Sequence, residues 1–473
     1  MEKFILQILK ENDLELTKTS QSAVTRLVEN ARISELTRSI TEIKKQIIEI
    51  FKMYREKEEF KDTHFTIPNA TAKKEYEFVM DISNFPNIKI KEIRNIDQVG
   101  LQFDSDSNKI YGTPTIAGSF DLDLVFYNVQ DESKSEEIKV VPFLTNADPK
   151  DLWKDIPSDK NIRYAKNDDE AYGGPFLDKK IVVASKRGRS HAHEGLPRDD
   201  HFSIKSLHEN WAIVAVADGA GSAKYSRQGS KIATESLAFS LNDEELLKNL
   251  SELIKAYVEE KTREIQEIEQ PDGENNQVVD SKLRVKNTII KILYKEIVNI
   301  HNRLIDFAKK EEIQLKDLHT TLIFALCKKF DFGYALLTFG VGDCPIALIK
   351  KDASDVSLLN VLDIGDFGGG TRFITMPEIF IPEISNRFAV NIVPDFSRLF
   401  LMTDGIYDPK FETENKLEDP EAWDRFLADL DGDNEDKLSV DLQNKEGVES
   451  QLLDWMNYWS KGNHDDRTLA IIY

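Results

Sequence analysis

The chain has 473 residues, 84 of them acidic against 62 basic, for a formal net charge of −22. That length allows roughly two to four domains and a large core, whereas the acidity excludes a non-specific grip on nucleic acid or an acidic membrane, because attraction to phosphate needs a basic surface. The two cysteines, Cys327 and Cys344, both sit inside apolar runs, which excludes a disulfide framework and fits a reducing, cytoplasmic setting.

The opening stretch, MEKFILQILKENDLEL, reads as an amphipathic helix, and Lys10, Glu11 and Asp13 break its apolar run too early for a signal sequence. No run approaches the length of a membrane span. The pattern over 1–60 is helical. Ile33, Leu36, Ile40, Ile43, Ile47, Ile50 and Tyr54 recur at alternating spacings of three and four, which is a heptad seam. Such a seam needs a partner. Either the preceding helix supplies it, with Val24, Leu27 and Val28, or a second copy of the chain does, in a homodimer through 33–54.

Residues 61–147 change period. In GSFDLDLVFYN the apolar residues Phe120, Leu122, Leu124 and Phe126 alternate with polar ones, and Gly112, Pro114 and Gly118 punctuate turns. This is the pattern of a small β-sandwich. IYGTPTIAGSFDLDLVF resembles the immunoglobulin-like repeats of many bacterial surface proteins, which implies an all-β binding or spacing domain. The Asp-, Lys- and Asn-rich stretch 148–172 reads as a linker. From 173 to 473 apolar strands, expected at 181–185, 211–217, 321–327, 334–341, 398–403 and 468–473, mix with long helices. One helix carries Ile289, Leu293, Ile297, Ile300, Leu304 and Phe307 on a single face, after a polar loop at 270–281. The glycine-rich GDFGGGTRFIT at 365–375 reads as a turn or as a flap beside a cleft.

The stretch VAVADGAGSAKYSRQGS at 214–230 poses the functional question. Its apolar run stops at Asp218 and turns through Gly219 and Gly221 into a helix. A tight strand–helix turn, a phosphate-cradling loop and a metal site pairing an Asp oxygen with a bare backbone carbonyl all fit. Other strands repeat the feature. Asp404-Gly405 ends one, Asp343 follows Gly340 and Gly342, and Asp199-Asp200 and Asp465-Asp466 each precede one. A single Asp-Gly pair is an ordinary turn. Acidic residues at five strand ends would repel one another if they converged, and hard, oxygen-loving cations, Mn²⁺ or Mg²⁺, would remove that repulsion. Two rival chemistries fail on spacing. The Asp-His pair of SHAHEGLPRDDH comes too late for the His-x-His-x-Asp-His of a binuclear zinc hydrolase, and DGAGSAKYS lacks the Gly-x-x-x-x-Gly-Lys-Ser/Thr of a phosphate loop.

Residues 181–473 resemble the metal-dependent protein phosphatases of type 2C, in particular their bacterial branch. The motifs that carry the resemblance stand in family order: SKRGRSHAHEGLPRDDHF, VAVADGAGSAKYSRQGSKIATE, HTTLIFAL, FGVGDCPIAL, LFLMTDGIYD and HDDRTLAII. The resemblance implies an α+β fold, an α-β-β-α four-layer sandwich with a metal cleft at one edge of two stacked sheets. It implies that Asp218 bridges two metals, with the Gly219 carbonyl on one of them. Asp404 and Asp465 would bind the second metal, and Asp200 would accept from metal-bound water. Asp343, with Asp404, would hold a third, weaker ion. Two such cations, Mn²⁺ or Mg²⁺, would lower the pKa of a bridging water so that hydroxide attacks phosphorus in line.

Asp200, Asp218 and Arg198 are the catalytic candidates, and the sequence departs from the family around them. Gly195 stands where many members carry the Arg that grips the substrate phosphate, and Arg187, Arg189 and Arg198 are the nearby substitutes. Asp199 replaces Glu or Gln, Cys344 replaces Ser, and Ala220 replaces a His of eukaryotic members. The implied function is a cytoplasmic serine/threonine phosphoprotein phosphatase in signalling, with a front half for targeting or assembly. Its partner would be a phosphoprotein, for instance a Ser/Thr kinase or that kinase's target. The alternative, kept open by the missing Arg, is a non-catalytic phosphatase-like module that recognises phosphoproteins.

Overall fold

The computed structural model describes residues 1–18, 20–269, 275–351, 356–363, 370–444, 446–460 and 462–473. The chain divides into two compact units, Met1–Leu152 and Trp153–Tyr473.

The first unit opens with three helices: α1 (Glu2–Glu11), α2 (Gln21–Glu29) and α3 (Ala31–Asp62). Asn30 caps α3 by accepting from the Arg32 N–H at 2.9 Å. The heptad seam lies on α3, but the earlier helices do not cover it. Ile43, Ile47 and Ile50 are all more than half exposed, so the internal hairpin is not formed along this stretch. The C-terminal end of α3 is anchored in the β core. Phe60 is fully buried, with ring centroids 4.6–5.2 Å from Phe65, Phe85 and Phe126. Lys57 is buried too and donates to Asp131 at 2.9 Å.

Seven strands follow: β1 (Ala70–Thr71), β2 (Tyr76–Val79), β3 (Ile88–Arg94), β4 (Leu101–Asp104), β5 (Lys109–Gly112), β6 (Gly118–Asn128) and β7 (Glu137–Asn146). They form a four-stranded sheet, β1-β7-β6-β3, and a three-stranded sheet, β2-β5-β4, which share one core. On β6 the alternation places Leu122, Leu124 and Phe126 in that core, with Phe120 at its margin.

The second unit holds β8 (Asp169–Phe176), β9 (Lys179–Lys186), α4 (Arg189–Glu194), β10 (His201–Ser206), β11 (Trp211–Ala217), α5 (Ser226–Ser240), α6 (Glu244–Glu269) and α7 (Asn275–Lys310). It continues with β12 (Leu322–Phe330), β13 (Gly333–Val341), β14 (Ile346–Lys350), β15 (Val356–Leu358), β16 (Phe388–Val393) and β17 (Phe396–Met402). The chain ends with α8 (Asp404–Phe411), α9 (Pro420–Leu430), α10 (Val448–Trp455) and β18 (Arg467–Ile472). Of the polar loop expected at 270–281, residues 270–274 lie outside the described residues, and from Asn275 onward the chain is helix instead. The glycine-rich stretch lies outside them over 365–369. No described helix is long and apolar enough to cross a membrane.

Two antiparallel sheets stack in this unit, β10-β11-β12-β13-β16 and β15-β14-β17-β18-β9-β8. Period-2 alternation explains why their strands read as unbroken apolar runs, since both faces are buried. Ile213, Ala215 and Ala217 of β11 face a helical layer that includes Leu237, Ile254 and Ile297. Ala212, Val214 and Val216 face the other sheet, against Val183, Leu401 and Ala470. The far side of that sheet, with Ala184, Phe400 and Ile471, packs on Trp423, Phe426 and Trp455. The result is four layers, α-β-β-α. The stretch 148–172 is more than a linker: from Trp153 the chain belongs to the second unit, and β8 already pairs at Asp169.

Phe60 joins α3 to the β core of its own unit, so Phe60→Ala is expected to destabilise the first unit by about 3–5 kcal/mol. Denaturant unfolding should show this loss in one transition while the second unit's transition stays in place. An unchanged profile would show that α3 is not anchored there.

Candidate metal centre

Strand register brings the acidic residues together. His201 pairs with Ala217, so Asp200 and Asp218 leave the same end of the β10-β11 ladder. Met402 pairs with Leu469 on the other sheet, which sets Asp404 beside the Asp465-Asp466 loop. Leu322 pairs with Val341, so the β12-β13 ladder ends beside Gly342 and Asp343.

The backbone around Asp218 is fully engaged. Its N–H donates to Thr321 Oγ1 at 2.9 Å, and its carbonyl accepts from the Thr321 N–H at 2.8 Å and the Thr320 hydroxyl at 2.7 Å. Gly219 forms an isolated bridge with Thr320, but the bridging bonds run from Ala220 N to His319 O and from Thr321 N to Asp218 O. The Gly219 carbonyl therefore takes no part in that bridge. A Cβ at 219 would stand 2.7 Å from the Asp199 carbonyl oxygen and 3.0 Å from Ser226 Cβ, so glycine is required by close approach. The second Asp-Gly pair repeats this. Asp404 opens α8, and a Cβ on Gly405 would lie 2.0 Å from the Asp466 carbonyl oxygen.

Several buried carboxylate oxygens have no partner. Asp200 Oδ2 accepts from Thr403 at 2.9 Å and Thr468 at 2.7 Å, while its buried Oδ1 accepts nothing. Asp343 Oδ2 accepts from Thr371 at 2.7 Å, and its Oδ1 is likewise unpartnered, as is Oδ1 of Asp404. Oxygens of Asp218 and Asp343 lie within 4.8 Å of each other and of the Cys344 sulfur.

The electrostatics agree. Burial, then Asp404, Asp200, Asp465 and Asp343, push the Asp218 carboxyl well above the ordinary range. Burial and Asp465 do the same to Asp404. Burial and Asp466 raise Asp200 to about 7 and Asp465 to about 6. Burial also raises Asp343. Orphaned oxygens on mutually repelling carboxylates are what hard divalent cations satisfy, so these residues fit such ions.

Beneath the cluster lie charges that are paired. Burial disfavours ionised Asp466, but His191, with Nδ1 3.0 Å from Oδ1, and the Gly188 N–H at 2.6 Å outweigh it and hold the carboxyl below its usual range. In return Asp466, working against burial, raises His191 to about 10. Asp199 accepts from Arg227 Nε at 2.9 Å and from Ser226 at 2.8 Å. The Lys166 ammonium donates to the carbonyls of Asp199 at 3.1 Å and Asp200 at 2.6 Å, and burial pushes it down to about 7.

Of the predicted site residues, Asp200, Asp218, Gly219, Asp343, Asp404 and Asp465 come together. Arg198 does not join them at the open side. It is fully buried, and its guanidinium donates to Glu170 at 2.8 Å and to the Ser185 carbonyl at 3.2 Å. Arg187 is held by Asp155 and two backbone carbonyls, and Arg189 by the Asn457 carbonyl. Both cysteines are buried, and burial raises both thiols. Sequence reasoning missed Lys166, which carried no motif signal within the supposed linker. It also gave no role to His191 and Asp466, although both were visible in quoted motifs.

No curated protein sequence matches the chain. Solved structures that align with it include an arginine-to-alanine variant of a bacterial serine phosphatase, at 14% identity and TM-score 0.36, covering 63% of this chain and 98% of that one. The serine/threonine phosphatase Stp1 from Staphylococcus aureus aligns at 14% identity and TM-score 0.35, covering 66% and 98%. The S. agalactiae serine/threonine phosphatase aligns at 13% and 0.33, covering 62% and 98%. The sequence model of the family described as protein phosphatase 2C matches residues 187–456, more than half of the chain. That span takes in the Asp199-Asp200 pair, both Asp-Gly turns and Asp343, and on that match the chain belongs to the protein phosphatase 2C family.

Proposed function

We propose that this chain is a Mn²⁺- or Mg²⁺-dependent serine/threonine phosphoprotein phosphatase. The observation that carries the reading is the convergence of buried, mutually repelling carboxylates with unpartnered oxygens at one edge of the sandwich. Asp218, the Gly219 carbonyl, Asp404 and Asp465 would hold two ions, and Asp343 with Asp404 a third. When bound, such cations supply an activated water and neutralise phosphoryl charge. The chain's own residues do the positioning. Thr403 and Thr468 fix one Asp200 oxygen and leave the other free to accept a proton from water. Arg198 steadies Ser185, whose hydroxyl bonds that of Thr468 at 2.6 Å, so its role is positioning. The second reading, a phosphoprotein-binding module without turnover, is favoured by one observation: Arg187 and Arg198, two of the three arginines near the missing family Arg, are held by carboxylates.

For the first unit we infer an immunoglobulin-like spacer or binding domain from its two sheets around a shared core. We also infer a homodimer through 33–54 from the exposed Ile seam, and targeting to a phosphorylated kinase or its target. Two buried free thiols support a cytoplasmic setting.

Purified protein should hydrolyse an aryl phosphate only with Mn²⁺ or Mg²⁺ and lose activity to a chelator, while Cys327→Ser and Cys344→Ser leave it intact. Asp218→Asn and Asp404→Asn should each cost about a hundredfold or more in turnover with the circular dichroism unchanged. Near-normal turnover in either variant would defeat the reading. Metal binding without any turnover would favour the binding module.

Lys166 locates the boundary of the working unit. A fragment 153–473 should keep the full chain's aryl phosphatase activity, because it retains the ammonium beneath Asp199 and Asp200. The same fragment carrying Lys166→Met should bind Mn²⁺ more weakly. Equal Mn²⁺ affinity in the two fragments would remove Lys166 from the account.

The raised carboxyls set a pH dependence. An acid whose folded-state pKa is raised stabilises the fold fully below its unfolded pKa, and that contribution is lost as pH rises through the folded value. With chelator present, Tm should therefore fall from about pH 4 toward pH 7, the window between an ordinary Asp and Asp200 at about 7. Asp466 has the opposite sign and acts below that window. Mn²⁺ should flatten the fall, because it binds the ionised carboxylates. A chelated Tm that is level across the window would contradict the proposed crowding.

A further inference from the structure

A second cavity, of about 280 Å³, lies in the same unit and none of the five candidate carboxylates lines it. Its local charge reverses that of the chain. In a molecule of net charge −22, the lining brings Lys154, Lys186, Arg187, Arg189 and Arg467 together against Asp155, Asp168 and Asp169. Those carboxylates are occupied. Asp155 accepts from Arg187 at 2.8 Å, Asp169 from Lys186 at 2.9 Å, and Asp168 from Lys160 at 2.9 Å.

Arg189 and Arg467 are left over. Among the described residues no carboxylate pairs with either, and the Nε of each is buried without an acceptor. Arg467 is only 4% exposed. Their other nitrogens clamp one segment in alternation. Arg467 donates to the carbonyls of Met456 and, at 2.9 Å, Tyr458, and to the Ser460 hydroxyl at 3.1 Å. Arg189 donates to the Asn457 carbonyl at 2.8 Å and lies over the Trp459 ring. Burial and then Arg467 lower Arg189 from its ordinary value, so the two guanidiniums are held together at a cost. Basic side chains gathered around one cavity, two of them without a carboxylate partner, fit an anion. Guanidinium donors match the oxygens of phosphate.

We propose that this cavity is a second, non-catalytic phosphate site. Its occupant is a phosphate group, either free inorganic phosphate or a second phosphorylated side chain of the substrate, and the latter source rests on the phosphatase reading above. Trp153 lines this cavity and also the groove that reaches His464 and Asp465. One substrate segment passing Trp153 would therefore reach both.

The test titrates the full chain with inorganic phosphate in chelator, read by calorimetry and thermal shift, so that phosphate on the metals does not contribute. Saturable binding is expected, weakened about tenfold or more by Arg189→Gln. Arg467→Lys, which keeps the charge but changes the fork, should weaken it too and covers the case of a misfolded Arg189 variant. Mn²⁺-dependent hydrolysis of an aryl phosphate by Arg189→Gln should stay within about twofold of the unaltered chain, since the site is separate. A doubly phosphorylated peptide, favoured over its singly phosphorylated form by about fivefold in kcat/KM and no longer so in Arg189→Gln, would assign the site to substrate. Equal rates with intact phosphate binding would assign it to free phosphate. No saturable binding, or binding untouched by both substitutions, overturns the proposal. An inactive chain that still binds phosphate through Arg189 would defeat the phosphatase reading and leave this one standing.

Discussion

The second unit depends on keeping buried carboxylates together. Asp218, Asp404, Asp200, Asp465 and Asp343 all stand above the ordinary range because burial, joined by neighbouring carboxylates, disfavours their charge. Such a cluster is unfavourable alone, since removing charge from water costs several kcal/mol per ion unless a partner compensates. The sandwich supplies the rigidity that holds it. Two sheets buried on both faces leave their strand ends little freedom, and the acidic residues sit at those ends rather than in loops of their own.

Two glycines let the ends approach closely. Gly219 receives the backbone of Asp199, and Gly405 receives that of Asp466, at distances no side chain tolerates. Each Asp-Gly turn on one strand is thus locked against an Asp-Asp pair leading into a neighbouring strand. The glycine after each of these two carboxylates closes the cluster from behind. Gly188 makes a third such contact, under Asp465.

This logic also separates what the sequence discloses from what it conceals. All six apolar runs of the second unit are strands, and the acidic residues at their ends converge, because period-2 burial and strand-end position are local properties of sequence. Tertiary partners are not. Lys166 is a lysine among polar neighbours in sequence, and only the fold puts it under the Asp199 and Asp200 carbonyls. Arg198, two residues before Asp200, was a natural candidate to grip phosphate, yet the chain turns it into the protein toward Glu170. The seam of α3 was legible as a pattern, but its partner was not, and Ile43, Ile47 and Ile50 remain exposed in the single chain.

Paired and unpaired charges therefore carry different information. Asp466 with His191 and Asp199 with Arg227 are buried ions matched by other ions, and each fixes a backbone segment. Breaking such a pair leaves an uncompensated charge, which makes them scaffold. The free oxygens of Asp200, Asp343 and Asp404 and the free Nε groups of Arg189 and Arg467 are not matched. A fold with enough buried hydrogen bonds to satisfy Asp466, the residue just before its last strand, has the means to satisfy these as well. Leaving them open stabilises nothing in the chain itself, which is the physical ground for the two proposals: cations would complete the carboxylates, and an anion would sit beside the arginines.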